Sequence, residues 1–75
     1  MENVFVLIIN TRLIGVYTSH RNAVQAMIKE TLPHGFVMSE YMFDFGVEFF
    51  TFSDPDDASN ERVYELQEVP LDSRI

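Results

Sequence analysis

The side chains best suited to chemistry lie in an acidic stretch of the second half of the chain. Asp54, Asp56 and Glu65 occupy the first, third and twelfth positions of a spacing that resembles a calcium-binding loop. The pattern fails at two places, because Ala58 takes a liganding position and Ser59 replaces the glycine that the turn needs. We therefore predict a solvated acidic segment and no metal site.

Catalytic chemistry has few candidate residues. The chain has no cysteine and two histidines, His20 and His34, which a regular helix would hold about 20 Å apart. The local signatures of a serine nucleophile, a zinc-protease helix and a phosphate-binding glycine loop are absent from the sequence. Glu40, Asp44 and Glu48 are close in sequence, but nothing indicates the desolvated cleft that would raise the pKa of one of them. We predict no enzymatic activity and no cofactor.

Charge divides the chain into two halves. Residues 1–39 carry three basic and two acidic side chains, a formal charge of +1, whereas residues 40–75 carry ten carboxylates and two arginines, a formal charge of −8. The net charge of −7 disfavours direct binding to nucleic acid or to an anionic membrane, since affinity there comes mainly from Lys and Arg. A partner with a basic surface is expected, although acidity can also serve solubility alone.

The first half of the chain predicts a hairpin followed by a helix. Val4 to Ile9 is apolar at every position, which predicts a strand that is buried on both faces and central in its sheet. Leu13 to Tyr17 predicts the second strand, with Gly15 at a bulge or a close approach. Apolar side chains then recur at three- and four-residue spacing, which predicts one amphipathic helix over about Ser19 to Leu32.

The second half predicts three strands. Residues 36–43 and 47–52 form two of them, with the reversal at Asp44-Phe45-Gly46. Residues 54–60 are dense in turn formers and predict a solvated loop, after which residues 62–69 form the last strand. We interpret residues 70–75 as a flexible tail or a strand end.

This order, β-β-α-β-β-β, predicts an α+β fold: a small antiparallel sheet with one amphipathic helix packed on one face, formed by residues 1–75 as a single domain. A domain of this size without cysteine needs dense aromatic packing, self-association or a partner. The apolar run near the N-terminus is too short for a signal peptide or a membrane-spanning helix, so we expect a soluble, intracellular protein.

Aromatic side chains overlap the acidic half, and apolar residues there occupy both odd and even positions. Strand side chains alternate between faces, so both faces of this region need cover. Either a turn or bulge near Gly46 resets the register and brings most rings into one core, or several rings form an exposed patch for a homodimer or a host protein. The rings concerned are Tyr41, Phe43, Phe45, Phe49, Phe50 and Phe52.

The layout resembles that of short acidic proteins encoded by tailed bacteriophages. The resemblance rests on the apolar strand Val4 to Ile9, on Gly15 to Ser19 leading into the helix, and on the polar last strand from Val63. It implies a small accessory protein in the cytoplasm of an infected bacterium, of a group that often binds and inhibits or redirects a host enzyme or defence complex.

We therefore predict a non-catalytic phage protein that binds a host protein through its acidic, aromatic half. The predicted contacts are Asp54, Asp56, Asp57 and Glu61. Two alternatives remain, an acidic DNA mimic and a self-associating structural protein. B-DNA presents about 18 charges along roughly 30 Å of its axis, against ten carboxylates in the acidic half, so a monomer would imitate DNA sparsely.

Overall fold

The computed structural model describes residues 3–70, which form a five-stranded sheet and one main helix. The sheet order is β2-β1-β5-β4-β3 and every neighbouring pair is antiparallel. The helix packs on one face, so the predicted α+β fold is confirmed. The elements are β1 (Asn3–Ile9), β2 (Arg12–Tyr17), α1 (His20–Thr31), a 3₁₀ turn (Leu32–His34), β3 (Val37–Asp44), β4 (Val47–Asp54) and β5 (Asp57–Pro70).

β5 pairs with β1 on one side and with β4 on the other, and so joins the β1–β2 hairpin to the β3–β4–β5 meander. β1 is therefore an interior strand, while β5 is the central one. The β1–β2 and β3–β4 hairpins each reverse through a two-residue turn whose residues have positive φ: 50° and 64° at Asn10 and Thr11, 51° and 77° at Phe45 and Gly46. Such turns match the twist of the strands they connect. The predicted tail beyond Pro70 lies outside the described residues, and Pro70 itself ends β5.

The bounds of α1 agree with the prediction to within one residue at each end. Ser19 is the N-cap, and its hydroxyl accepts a hydrogen bond from the Asn22 backbone N–H at 3.1 Å. Ala23 and Met27, four residues apart, are buried against the sheet. The 3₁₀ turn that follows the helix ends at Gly35, whose φ of 71° few other residues adopt readily.

Both features predicted at Gly15 are present. The register changes from Leu7 opposite Gly15 to Ile8 opposite Leu13, so Ile14 is the extra residue of a bulge in β2. A Cβ at Gly15 would lie 2.6 Å from the Tyr17 hydroxyl oxygen, well inside van der Waals contact. Glycine is the residue that this approach allows.

The core lies between α1 and the sheet face that it covers. Its buried apolar residues are Leu7, Ala23, Met27, Phe50, Phe52, Tyr64 and Leu66. We call the other side of the sheet the open face, because no described element packs on it. Val6 and Ile8 on the open face are half-buried whereas Leu7 is fully buried. The prediction that β1 is buried on both faces is therefore wrong, since one helix covers one face only.

The acidic segment 54–60 is not a loop. β4 continues to Asp54 and β5 begins at Asp57, so only two residues between them form the turn. The register then changes from Asp54 opposite Asp57 to Ser53 opposite Glu61, which places the extra residues 58–60 in an irregular part of β5. The prediction of a loop from turn-forming residue types was wrong because Asp57 and Glu61, on either side of these extra residues, both pair with β4.

The buried Tyr64 hydroxyl generates a stability prediction. Within residues 3–70 its oxygen is the single buried side-chain polar atom without a hydrogen-bond partner, and such an atom costs about 1–3 kcal/mol. We expect Tyr64→Phe to raise the free energy of unfolding by about 1 kcal/mol in urea denaturation. Leu66→Ala on the same strand should lower it by about 2–5 kcal/mol. A Tyr64→Phe variant that is less stable than the parent would show that the hydroxyl is bonded.

Candidate protein-binding surface

The helix covers only one end of the sheet. α1 packs against β1, β2 and β5, and at its N-terminus His20 Nε2 lies 2.9 Å from Glu48 Oε1 on β4. A helix with side chains is about 10 Å wide, which is roughly two strand spacings. The α1 side of β3 is therefore left without cover.

Exposed apolar side chains concentrate at this uncovered end. All eight residues of β3 are exposed. Six of the twelve large hydrophobic residues exposed within the described chain lie between positions 37 and 45: Val37, Met38, Tyr41, Met42, Phe43 and Phe45. The aromatic residues are therefore divided, because Phe50 and Phe52 enter the core while Tyr41, Phe43 and Phe45 do not.

Phe45 stands out at the tip of the β3–β4 hairpin. It is 96% exposed and takes the first position of the turn with φ 51°, a position where Asn, Asp and Gly are strongly preferred. An aromatic residue there gains little from burial and bears backbone strain. The sequence predicted a turn here, but the conflict between an aromatic residue and this turn position was not noticed. That conflict marks Phe45 as a candidate contact residue.

The open face combines apolar and acidic side chains. The strand register places Met42 opposite Phe49, with Glu40 opposite Thr51 on the same face. Met42, Phe49 and Val63 line a shallow depression of about 370 Å³, and Glu40 and Glu61 also lie on its walls. Carboxylates flanking apolar side chains suit a partner that presents basic residues beside apolar ones.

The basic residues of the described chain all lie on one side of the sheet, whereas carboxylates lie on both sides. The carboxylates of the open face are Glu40, Asp44, Glu61 and Glu65. All four described basic residues lie on the α1 side, two of them on α1 itself: Arg12, Arg21, Lys29 and Arg62. Arg62 packs its guanidinium 5.0 Å from the centre of the Phe36 ring. Among residues 3–70 the open face thus has four negative charges and no Lys or Arg.

The four predicted contact residues lie at the same end of the sheet, because Glu61 is opposite Ser53, the chain neighbour of Asp54. Glu61 borders the depression of the open face. Asp54, Asp56 and Asp57 lie at the β4–β5 turn, which is at the opposite end of β4 from Phe45, about 24 Å away along an extended strand. Asp54 accepts a hydrogen bond from the Asp56 backbone N–H at 2.9 Å, so part of this acidic group shapes the turn.

Asp57 is likewise engaged within the β4–β5 connection. Its Oδ1 accepts hydrogen bonds from the Ser59 hydroxyl at 2.6 Å and from the Ser59 backbone N–H at 3.1 Å. These bonds favour the charged form and lower the pKa of Asp57 below its ordinary value, while desolvation acts in the opposite direction. The carboxylate therefore has a structural role in this connection.

A second depression, of about 420 Å³, lies on the α1 side near the N-terminus of the helix. His20 and Glu48 meet there, beside Phe43 and Glu68. This pair could transfer a proton, but none of the described residues lining the depression is a Ser, Thr, Tyr or Lys that could act as a nucleophile. The arrangement is better suited to holding the helix against β4.

No protein-family model, curated protein or solved structure matches this chain. In the part of the chain that the structure describes, no three or more His, Asp or Glu side chains are grouped as metal ligands. Over the same residues, no helix is both long and apolar enough to cross a bilayer.

The hydrogen bonds to Asp57 generate a prediction on pH. Because the pKa of Asp57 is lower in the folded than in the unfolded chain, its contribution to stability is present above the unfolded-state pKa and is lost as the pH falls through the folded-state pKa. We expect Ser59→Ala to raise this pKa, measured by NMR titration of the carboxyl carbon. An unchanged pKa in the variant would show that the hydroxyl does not stabilise the carboxylate.

Strain at the two hairpin turns generates a further prediction. We expect Phe45→Asn to raise the free energy of unfolding by about 1 kcal/mol, because Asn tolerates the positive φ that Phe disfavours. Thr11→Gly relieves the corresponding strain in the β1–β2 turn and serves as the matched control. If Phe45 is a contact residue, Phe45→Asn should also weaken partner binding, while Thr11→Gly should leave binding unchanged. Denaturation and binding measurements on both variants test this, and equal binding by the two would remove Phe45 from the surface.

Proposed function

We propose that this chain is a small non-catalytic protein that binds and inhibits or redirects a host protein through the uncovered end of its sheet. The observation that carries the proposal is the surface formed by β3 and the open face. It combines exposed apolar side chains with carboxylates, and among the described residues it has no Lys or Arg. A surface that only needed to be soluble would not require so many exposed rings.

The expected partner has a basic surface with apolar residues within it. Exposed apolar side chains such as Met42 and Phe45 supply the buried anchors of the interface. Glu40 and Glu61, which line the same depression as Met42, steer the basic partner and orient it. Interleaved apolar and acidic side chains favour a protein partner over imitation of DNA, whose surface charge is denser. The resemblance to short acidic phage proteins suggests that the partner is in the cytoplasm of the infected bacterium.

The contact surface differs from the one that the sequence suggested. Glu61 remains a contact residue because it borders the open-face depression. Asp54 and Asp57 accept local hydrogen bonds and act mainly on the turn. Glu40, Met42 and Phe45 replace them as the residues expected to meet the partner.

Reversing charge on one side of the sheet tests this proposal. We expect Glu40→Lys/Glu61→Lys, which alters the open face, to reduce capture of the partner from a bacterial lysate by about tenfold or more. Glu30→Lys/Glu68→Lys, which makes the same change in net charge on the α1 side, should leave capture close to that of the parent. Quantitative mass spectrometry measures both.

Circular dichroism of the two double variants verifies that each is folded. Equal capture by the parent and by Glu40→Lys/Glu61→Lys would remove the open face from the interface. Stronger loss in Glu30→Lys/Glu68→Lys would instead place the interface on the α1 side of the sheet.

A further inference from the structure

The two edges of the sheet are protected very differently. The β2 edge is six residues long, is interrupted by the bulge at Ile14, carries Arg12 and lies beside α1. The β3 edge is eight residues long, fully exposed and free of Pro, Lys and Arg. Short length, bulges, charged side chains and covering elements are the devices that prevent an edge from pairing with another chain. β3 has a bulge at Ser39, which leaves Glu40–Asp44 regular, and two charged side chains, both acidic, which repel an acidic strand and attract a basic one.

We propose that the partner contributes an extended segment that pairs antiparallel with Glu40–Asp44 and adds a sixth strand to the sheet. This inference rests on the proposed function and specifies how the basic partner is bound. The segment carries two basic residues four positions apart, with apolar or β-branched residues between them.

The backbone of β3 presents hydrogen-bonding groups at this edge. Asp44 and Val47 flank the two-residue turn and are opposite one another, so they form a hydrogen-bonded pair of the hairpin ladder. Alternate residues in an antiparallel strand direct their N–H and C=O groups to opposite sides. Tyr41 and Phe43 therefore direct these groups away from β4, toward an added strand.

The side chains of β3 define the sequence of that strand. Residues directly opposite in an antiparallel pair lie about 4.5–5.5 Å apart at Cβ. Lys or Arg opposite Glu40 and Asp44 would pair with a carboxylate on the open face. Residues opposite Tyr41 and Phe43 would contact exposed rings on the α1 side, where β-branched side chains form favourable cross-strand pairs.

Charge favours such a segment over a second copy of this chain. Two copies of β3 pairing with Met42 opposite Met42 would place Glu40 opposite Asp44 twice, and like charges directly opposite are destabilising. Each copy also has a net charge of −7, which opposes self-association at low ionic strength. A basic strand is complementary in both respects.

The experiment uses the peptide Thr-Lys-Val-Thr-Val-Lys-Thr as the probe, with the full chain labelled with ¹⁵N. Hydrogen exchange is followed with and without peptide. We expect the amides of Tyr41 and Phe43, which have no strand partner among residues 3–70, to become at least about tenfold slower to exchange. Met42 and Asp44 amides face β4 already and should change little.

Backbone methylation separates strand addition from side-chain docking. N-methylation of both valines blocks the hydrogen bonds to β3 and should weaken binding at least tenfold, whereas N-methylation of the central threonine, which faces solvent, should change it less than twofold. Replacing both lysines with Glu should abolish binding. Tyr41→Pro removes the outward N–H of the edge and should bind the peptide less tightly than Tyr41→Ala, which loses the same ring.

These results distinguish failure of strand addition from failure of the proposed function. Equal effects of the two methylation patterns, or unchanged exchange at Tyr41 and Phe43, would overturn strand addition. If capture of the lysate partner still depended on Glu40 and Glu61, the proposed function would stand and only its binding mode would fail. Sedimentation showing a peptide-independent dimer at micromolar concentration would assign the β3 edge to a second copy and would also overturn the inference.

Discussion

The architecture depends on one constraint: within residues 3–70, a single 12-residue helix is all that covers the five-stranded sheet. α1 is about 18 Å long and about 10 Å wide, whereas the outer strands of such a sheet lie roughly 19 Å apart and β5 is 14 residues long. The core therefore forms where α1 faces β1 and β5, and Phe50 and Phe52 extend it onto β4. The side chains of β3, which α1 does not reach, face water or another molecule.

The sequence predicted elements whose formation is local. α1 has its cap at Ser19 and a three- to four-residue apolar repeat, and both hairpins follow turn positions visible in the sequence. The extent of β5 was not predictable in this way, because residues 57–61 consist of types that favour turns, and the strand extends through them because Asp57 and Glu61 pair with β4. The prediction that β1 is buried on both faces was wrong for a related reason. An apolar run does not show whether another element packs on one face of the strand or on both.

The candidate surface was predicted only in outline. The overlap of aromatic residues with acidic ones indicated the region in which exposed rings are found, but the division of the rings between core and surface depends on register, with Tyr41 opposite Phe50 and Phe43 opposite Glu48. Asp54, Asp56 and Asp57 were predicted as contacts because acidic residues are concentrated there. Two of them, Asp54 and Asp57, accept hydrogen bonds within the turn region. Segregation of the basic residues to one side of the sheet became visible only when the strands were paired. Phe45 was in principle detectable, because its residue type conflicts with its turn position.

β5 joins the β1–β2 hairpin to the β3–β4–β5 meander, and its pairing with β1 brings together residues as distant in sequence as Asn3 and Pro70. The hairpins and α1 can form from contacts between near neighbours, but this pairing must wait for the last strand. During synthesis from the N-terminus, the β3–β4 hairpin therefore leaves the ribosome before the strand that closes one of its sides. For that interval the growing chain exposes β4 as well as β3, so its most aromatic hairpin is briefly open on both edges.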